Sequence, residues 1–445
     1  MSIVGDLATF AREASAASLP ADERAMLARH VADVAVAGVA GARTHEARAL
    51  RALGAGAGRD NEIAVAASIV RHTEVDDIHL PSCTTPSSVA VPVALMLAGE
   101  EGDSQRGLDA ARVADAIWVG AELVVRFGVA IDGPNALFRG VWPTAVAAPL
   151  GVAAVAARLW KLDQARTEHA LSLALMLMAG RTGRFQGALS GRWVLFIGAI
   201  AEGLRAARAA QAGFCGDPML LETPWLEKAQ GMACDLGALT KELGRSSVYP
   251  ALSMKPFCTA RQALGPTDAF LQLLDEGLDP RSVESVLVRV PQTYAGMISQ
   301  PIDANNRSSG FVSAGFQMGL AAFARDHLWD LDRAAAMAGP DVLAFAAKVR
   351  VVADAELQRE FPARWPAAIE VRAGGQTIAR ECRDVIGDPA RRLGDAAIAD
   401  KGVRILAPLL GAAQARDIVD AAARTLDDAA SCQRVARLFA AAMRG

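Results

Sequence analysis

The chain has 445 residues, a formal net charge of -3 and a sequence pI of about 6.1, so it lacks the basic character typical of a nucleic-acid-binding protein. Its hydrophobic share is 52%, carried mostly by Ala, with only 5% aromatic residues, which favours closely packed helices over sheets. This length predicts two domains, or one large domain with an insertion.

The cysteines and the apolar segments indicate a cytoplasmic protein without a membrane partner. The six cysteines show no C-x-x-C pairing, which argues against a disulfide framework and a structural zinc site. Met1–Asp6 has neither a basic nor an apolar signal region. The apolar run Thr144–Leu159 contains Pro149 and many small residues, so we interpret it as a buried helix and not as a membrane span.

The first elements in the chain read as helices. Ser18–Glu23 has a Pro early and acidic residues in the first turn, as helix starts do, and the helix is expected to stop near Gly38–Gly41. Gly54–Gly58 resembles a dinucleotide-binding loop only superficially, because it follows a helix and opens no βαβ unit. We therefore predict a surface loop there and no cofactor.

The segment Glu74–Ser88 is a polar loop that leads into an apolar stretch. Asp76, Asp77 and His79 could hold a proton-transfer site, and a metal there would have His72, His79 and Asp76 as its ligands. The chain lacks H-E-x-x-H or any similar fixed ligand spacing, so a metal site is not favoured.

Two further segments contribute possible ligand-binding side chains. Phe138–Thr144 contains Arg139 and Trp142, and the indole N–H of a Trp can only donate a hydrogen bond. The segment Gly183–Gly198 contains no Lys, and its cationic side chains are Arg184 and Arg192. An Arg stays charged, so it can clamp a carboxylate but makes a poor base.

The first β patterns occur in the last 160 residues. Val286, Val288 and Val290 alternate with other residues, Lys348–Ala353 is a second candidate strand, and Ile369–Arg380 reads as a hairpin with Gly374-Gly375 at its turn. The chain is therefore predicted to be mostly α. Residues 1–249, completed by 392–445, would form a large all-helical domain, and residues 250–391 would form a smaller α+β lid domain with an antiparallel sheet.

Between these parts lies Met254–Arg261, the segment most indicative of a site. Pro256 forces Lys255 into an extended backbone, which places an ammonium on a stiff segment near the guanidinium of Arg261. Two fixed cations suit a polycarboxylate ligand. The alternative is an ordinary interdomain loop whose Lys makes a salt bridge.

This segment resembles the signature K-P-Y-P-C-C-R-Y-T-H-x-x-x-D-A of the MmgE/PrpD family, which includes 2-methylcitrate dehydratase and cis-aconitate decarboxylase. The register is continuous. Phe257 replaces the Tyr, and Leu264 occupies the His position. The residues kept are Lys255, Pro256, Arg261, Asp268 and Ala269.

Other motifs extend the resemblance over essentially the whole chain. Asp76, Asp77 and His79 match a D-D-T-H-L element, whose following His corresponds to Thr85. Trp142 aligns with the His of an R-G-W-H-P-T loop. The resemblance implies a two-domain fold, a homodimer, a small di- or tricarboxylate substrate, and proton transfer next to a carboxylate.

None of the six histidines falls on the three signature positions occupied by Thr85, Trp142 and Leu264. A lost acid–base group typically removes 10²–10⁴-fold of rate, so rapid turnover of cis-aconitate or 2-methylcitrate is not expected. Three hypotheses stay open: a lyase or epimerase, a carboxylate-binding pseudoenzyme and a purely structural dimer. For an enzyme, the candidate catalytic residues are Lys255, Asp77 and His79, and the candidate substrate-binding residues are Thr85, Arg139, Trp142, Arg192, Arg261 and Tyr294. Tyr294 is also a possible second acid–base group.

Overall fold

The computed structural model of the chain describes residues 2–101, 109–182, 190–232, 234–303 and 306–445. These residues form two compact units. The first unit is bounded by Met1–Phe185, Gly191–Leu252 and Ile398–Gly445, and the second contains Ser253–Ala397.

The first unit is built from helices, numbered here in chain order over both units. They are α1 (Ile3–Glu13), α2 (Ala21–Gly41), α3 (His45–Gly54), α4 (Arg59–Arg71), α5 (Ser87–Glu101), α6 (Ala110–Ala130), α7 (Gly133–Phe138), α8 (Pro143–Leu159), α9 (Gln164–Met176), α10 (Gly191–Gln211), α11 (Trp225–Lys228), α12 (Gly237–Thr240), α20 (Asp395–Leu410), α21 (Ala412–Ala423) and α22 (Ala429–Arg444). A three-residue strand, β1 (Asp77–His79), also occurs here. The predicted mostly helical, two-domain fold is confirmed, and β1 is a short extended stretch within the polar loop after α4.

Side-chain caps fix several helix starts. The side chains of Ser2, Thr44, Asp163 and Asp428 accept hydrogen bonds from backbone N–H groups at the starts of α1, α3, α9 and α22. Such a cap satisfies one of the N–H groups that the first turn leaves without a helical partner. The predicted helix start after Ser18 is confirmed, since α2 runs from Ala21 to Gly41 with two acidic residues in its first turn.

Small residues allow α6 and α8 to pack in backbone contact. A Cβ added at Gly120 on α6 would lie 3.1 Å from the carbonyl oxygen of Gly151, and one added at Gly151 on α8 would lie 2.8 Å from that of Gly120. All but one of the residues of α8 are buried, which agrees with the predicted buried helix. The Ala-rich composition thus builds a core in which helix axes approach closely.

No single helix among the described residues is long and apolar enough to cross a membrane. One helix pair, Ala21–Gly41 with His45–Gly54, reaches that length and composition only when the two helices are joined across their 89° bend.

The second unit combines helices with a four-stranded sheet. Its helices are α13 (Arg261–Asp275), α14 (Gln292–Ile298), α15 (Arg307–Val312), α16 (Ala314–Phe323), α17 (Ala334–Met337), α18 (Pro340–Ala346) and α19 (Ala355–Gln358), and its strands are β3 (Val283–Pro291), β4 (Val349–Asp354), β5 (Ala367–Ala373) and β6 (Gln376–Cys382). Strand β2 (Leu252–Met254) lies where the chain passes from the first unit to the second.

The strand order is β4-β3-β5-β6, and the sheet is mixed. Strands β3 and β4 are parallel, whereas β3 with β5 and β5 with β6 are antiparallel. The predicted antiparallel sheet was therefore wrong at one edge. A parallel neighbour needs a long crossover, and the helices α14–α18 between β3 and β4 provide it.

The predicted hairpin is confirmed. Ala373 pairs with Gln376 across Gly374 and Gly375, whose φ angles are 55° and 76°. Positive φ at both central residues is the geometry of a type I′ turn, which Gly adopts at no steric cost.

Candidate functional site

The polar segment between α4 and α5 is almost completely buried. Every residue from Arg71 to Ser88 except Pro81 is buried. Connecting loops normally run over the surface, where water satisfies their polar groups. Here the polar groups bond to each other and to neighbouring helices. This buried polar segment, which contains Asp77 and His79, is therefore a candidate site.

His79 is held as a neutral imidazole with a defined tautomer. The backbone N–H of Ser82 donates to Nδ1 of His79 at 3.2 Å, and Nδ1 also lies 3.0 Å from the Ser82 hydroxyl oxygen. Burial lowers the pKa of His79 to about 4 despite the nearby carboxylate of Asp77. Since Nδ1 accepts, Nε2 carries the proton. Nε2 has no hydrogen-bond partner among the described residues, so it is the atom that can donate to a ligand.

Asp77 lies in a group of buried polar side chains that we call the Asp77 cluster: His30, Asp33, Asp77, Tyr249 and Lys401. Oδ2 of Asp77 lies 2.9 Å from Nδ1 of His30 and accepts a short hydrogen bond from the Ser87 hydroxyl. The His30 ring is not aligned for a hydrogen bond to that carboxylate, and its Nδ1 has no other partner among the described residues. Asp77 and His30 thus form a close buried acid–base pair.

Lys401 and Tyr249 complete the Asp77 cluster. Nζ of Lys401 lies 2.7 Å from Oδ1 of Asp33 and donates to the carbonyl oxygen of Val75 at 3.0 Å. Burial raises the pKa of Asp33 although Lys401 opposes the shift. Burial, followed by Asp77 and Glu122, raises the pKa of Tyr249. Ser87 approaches the Tyr249 hydroxyl, but no described group completes a well-aligned hydrogen bond to it.

A second buried group, the Arg71 cluster, contains Arg71, Glu74, Asp76, Trp142, Arg192 and Trp193. The Arg71 guanidinium lies 3.2 Å from Glu74 and 3.4 Å from Asp76. Burial alone would lower the pKa of Arg71, but Asp76 and Glu74 outweigh it and raise that pKa. The Arg71 guanidinium is therefore a permanent positive charge that lies beside two carboxylates.

Aromatic rings cover that charge. The guanidinium carbon of Arg71 lies 5.6 Å from the centre of the Trp142 ring and 5.9 Å from that of Trp193. The guanidinium carbon of Arg192 lies 4.4 Å from the Trp193 ring, and one of its nitrogens lies 3.5 Å from Glu74. These distances suit cation–π contacts. Two of the residues predicted from the sequence, Trp142 and Arg192, are thus brought into one group.

The other predicted residues of the first unit lie apart from these cluster contacts. The backbone N–H of Thr85 donates to Oγ1 of Thr144 at 3.1 Å, and the Ser88 hydroxyl donates to Oγ1 of Thr85 at 2.9 Å. Arg139 follows α7 and is exposed, with no side-chain partner among the described residues. Arg184 lies outside the described residues.

In the second unit the predicted side chains are buried and engaged. Arg261 makes a 2.6 Å ion pair with Asp388, and both side chains are buried. The Tyr294 hydroxyl donates to the carbonyl oxygen of Pro366 at 2.9 Å, and burial raises its pKa. The Lys255 residue is 2% exposed, and it too interacts with another group of the protein.

Sequence reasoning missed His30, Arg71 and the role of Lys401. His30 and Asp33 are polar residues three positions apart among the buried apolar residues of α2, which is the weak signal that could have marked them. Arg71 ends α4 directly before the polar loop. Among the described residues no group of three or more His, Cys, Asp or Glu side chains is arranged to hold a metal ion.

Comparison with known families adds an independent finding. A family model described as the MmgE/PrpD N-terminal domain matches residues 5–233, and one described as the MmgE/PrpD C-terminal domain matches residues 257–425. No curated protein matches the chain.

Proposed function

This chain belongs to the MmgE/PrpD family, a family of dehydratase and lyase type, and we propose that it is an enzyme that removes a proton next to a carboxylate of a small di- or tricarboxylate. If the resulting carbanion loses a leaving group, the enzyme is a lyase or hydro-lyase. If it is reprotonated, the enzyme is an epimerase or isomerase. We further propose that the protein is a cytoplasmic homodimer without nucleic-acid or membrane partners.

The observation that carries this proposal is the buried pair of Asp77 and His30. An imidazole 2.9 Å from a carboxylate, with no hydrogen-bond partner on its Nδ1 among the described residues, brings together two side chains of the kind that serve as general bases. Thr85, Trp142 and Leu264 offer no such group at the positions of the family histidines.

The proposed roles divide between proton transfer and charge stabilisation. The Asp77–His30 pair and Lys255 are the candidate bases, because each has a buried ionisable side chain in or near a family motif. The neutral His79 donates from Nε2 to a substrate oxygen, where negative charge develops as the proton leaves. Arg139 is exposed and binds a substrate carboxylate.

Proton exchange from heavy water tests the proposal directly. A panel of hydroxy- and amino-dicarboxylates and citrate-like acids is incubated with the protein, and loss of the α-proton signal is followed by NMR. We expect exchange with at least one acid, and a 10²–10⁴-fold slower rate in His30→Gln and Asp77→Asn. Undiminished exchange in both folded variants would overturn the assignment.

The surface offers a matched control for these variants. Nδ1 of His327 lies 3.0 Å from Oδ2 of Asp330, a distance like that of the buried pair, but both side chains are more than a third exposed. His327→Gln therefore removes an imidazole from a His–Asp pair outside the proposed site, and its exchange rate should equal that of the parent.

A carboxylate-binding pseudoenzyme is the second candidate. It is favoured by the state of Tyr294, a predicted acid–base group, because its hydroxyl donates to the carbonyl oxygen of Pro366 and burial raises its pKa, so it is not available for proton transfer. In that case calorimetry would detect binding of a dicarboxylate, while no acid in the panel would exchange its α-proton.

A further inference from the structure

A cavity of about 700 Å³ lies among helices of the first unit, away from the residues of both buried clusters. Residues at the end of α2 and on α3, α21 and α22 line it. Its volume falls in the range of small-molecule sites, about 300–1,000 Å³. Part of the lining is apolar, including Val39, Ile418 and Leu438.

The charged lining is strongly unbalanced. Four arginines, Arg43, Arg48, Arg51 and Arg434, face one carboxylate, Asp417. Among the described residues the side-chain partners of Arg43, Arg48 and Arg51 are main-chain carbonyl oxygens and the His45 ring, not carboxylates. Arg434 forms no ion pair with a carboxylate of the described residues either. Counting side chains alone, four positive charges against one negative charge leave an excess of three on the lining.

Main-chain contacts hold part of this charge in place. Nε of Arg51 donates to the carbonyl oxygen of Met443 at 2.8 Å, and its Nη2 donates to that of Ala42 at 2.7 Å. Nη1 of Arg43 donates to the carbonyl oxygen of Val39 at 2.9 Å. Burial, followed by the like charge of Arg43, lowers the pKa of Arg51. The two guanidinium groups therefore repel each other and remain together because the backbone fixes them.

Helix capping explains only part of the arrangement. The carbonyl oxygens that Arg51 contacts belong to the C-terminal ends of α2 and α22, and each helix end carries roughly half a negative charge. Two such ends offset about one of the arginines. Arg48 and Arg434 are exposed and bond to no helix end, so capping does not account for their position on the cavity.

We propose that this cavity binds a multivalent oxyanion with a compact organic body, of the phosphate-ester or polycarboxylate class. The planar guanidinium fork matches both phosphate and carboxylate oxygens, and the apolar part of the lining suits the organic body. This site is independent of the proposed reaction, because it uses none of the residues to which that proposal assigns a role.

Binding is measured by calorimetry in 150 mM salt with pyrophosphate, ATP and citrate as probes. The test variant is Arg48→Ala/Arg434→Ala, in which both changed side chains are exposed and neither truncation opens the core. We expect at least one probe to bind the parent with a Kd below 1 mM, and that Kd to rise at least tenfold in the variant. The pattern of affinities assigns the class: ATP and pyrophosphate above citrate for phosphate, and the reverse for carboxylate.

The control is Arg416→Ala, which removes the same charge from an exposed position of α21 that does not line the cavity. Its Kd should stay within twofold of the parent value, which separates site binding from general screening. The proposal is overturned if no probe binds the parent below 1 mM, if the double variant retains parental affinity for every probe that binds, or if Arg416→Ala weakens binding as much as the double variant.

Discussion

Replacing Lys401 by Met should destabilise the first unit in a pH-dependent manner. Nζ of Lys401 contacts both carboxylate oxygens of Asp33, at 2.7 and 2.9 Å, and the side chains are 2% and 5% exposed. Removal of one partner from a buried ion pair costs about 3–5 kcal/mol. Burial already raises the pKa of Asp33 from 3.8 although Lys401 opposes the shift, so removal of Lys401 raises this pKa further and favours the protonated carboxyl.

The pH dependence follows from that protonation. A carboxyl held fully protonated at pH 7, about three units above its unfolded pKa, costs about 4 kcal/mol at about 1.4 kcal/mol per unit, which is the upper limit of the effect. Because the folded pKa of Asp33 lies above the unfolded pKa, the contribution of this group to stability is largest below pH 3.8 and falls as the pH rises. The parent already carries part of this cost, so the deficit of Lys401→Met relative to the parent should be smaller at pH 5.5 than at pH 7.5, by at most about 3 kcal/mol over two pH units.

Urea unfolding followed by tryptophan fluorescence at both pH values measures this effect. The matched control is Arg404→Met, which breaks an exposed 2.7 Å pair with Asp400 on the same helix and should cost less than about 1 kcal/mol. Asp33→Leu/Lys401→Met removes both charges and should recover most of the loss. A deficit for Lys401→Met below about 1 kcal/mol at pH 7.5, or one equal at both pH values, would refute the reasoning.

Three further predictions follow from local geometry. Gly151→Val should lower the free energy of unfolding by at least about 1–3 kcal/mol, because even a Cβ meets the α6 backbone; an unchanged urea midpoint would contradict this packing. Arg261→Met should cost about 3–5 kcal/mol by leaving Asp388 buried alone, and adding Asp388→Leu should restore part of it; no recovery in the double variant would argue against the pair. Iodoacetamide should alkylate the exposed Cys215 first, whereas burial raises the pKa of the Cys432 thiol to about 12; mass spectrometry showing equal rates would disprove the difference.

Elements whose signals are local could be predicted from the sequence. Val286, Val288 and Val290 are buried on β3 while Leu287 and Arg289 between them are partly exposed, which is the alternation of a half-buried strand. The two glycines of the β5–β6 turn likewise mark a hairpin by themselves.

The parallel pairing of β3 with β4 could not be predicted in the same way. The burial of β3 alternates whereas that of β4 does not, and neither pattern distinguishes a parallel from an antiparallel neighbour. The direction of β4 depends on the course of α14–α18 between the two strands. These helices are short, and the course of the chain through them cannot be predicted from the sequence.

The candidate site was predictable only where a motif marks it. Asp77 and His79 belong to a polar loop that stands out from its apolar surroundings. His30 lies on α2, 47 positions before Asp77 in the sequence. The 2.9 Å distance between its Nδ1 and Oδ2 of Asp77 results from tertiary packing alone. A single sequence contains no signal for that contact.

Trp142, which the sequence resemblance aligns with a histidine of the family, covers a buried cation. Its ring lies 5.6 Å from the guanidinium carbon of Arg71, and Asp76 and Glu74 raise the pKa of Arg71 against the effect of burial. Trp142 thus presents an aromatic face beside a permanent cation. His79 is neutral because burial lowers its pKa to about 4. Since Trp142, Arg71 and His79 do not exchange protons near neutral pH, the proposed mechanism assigns none of them the role of base.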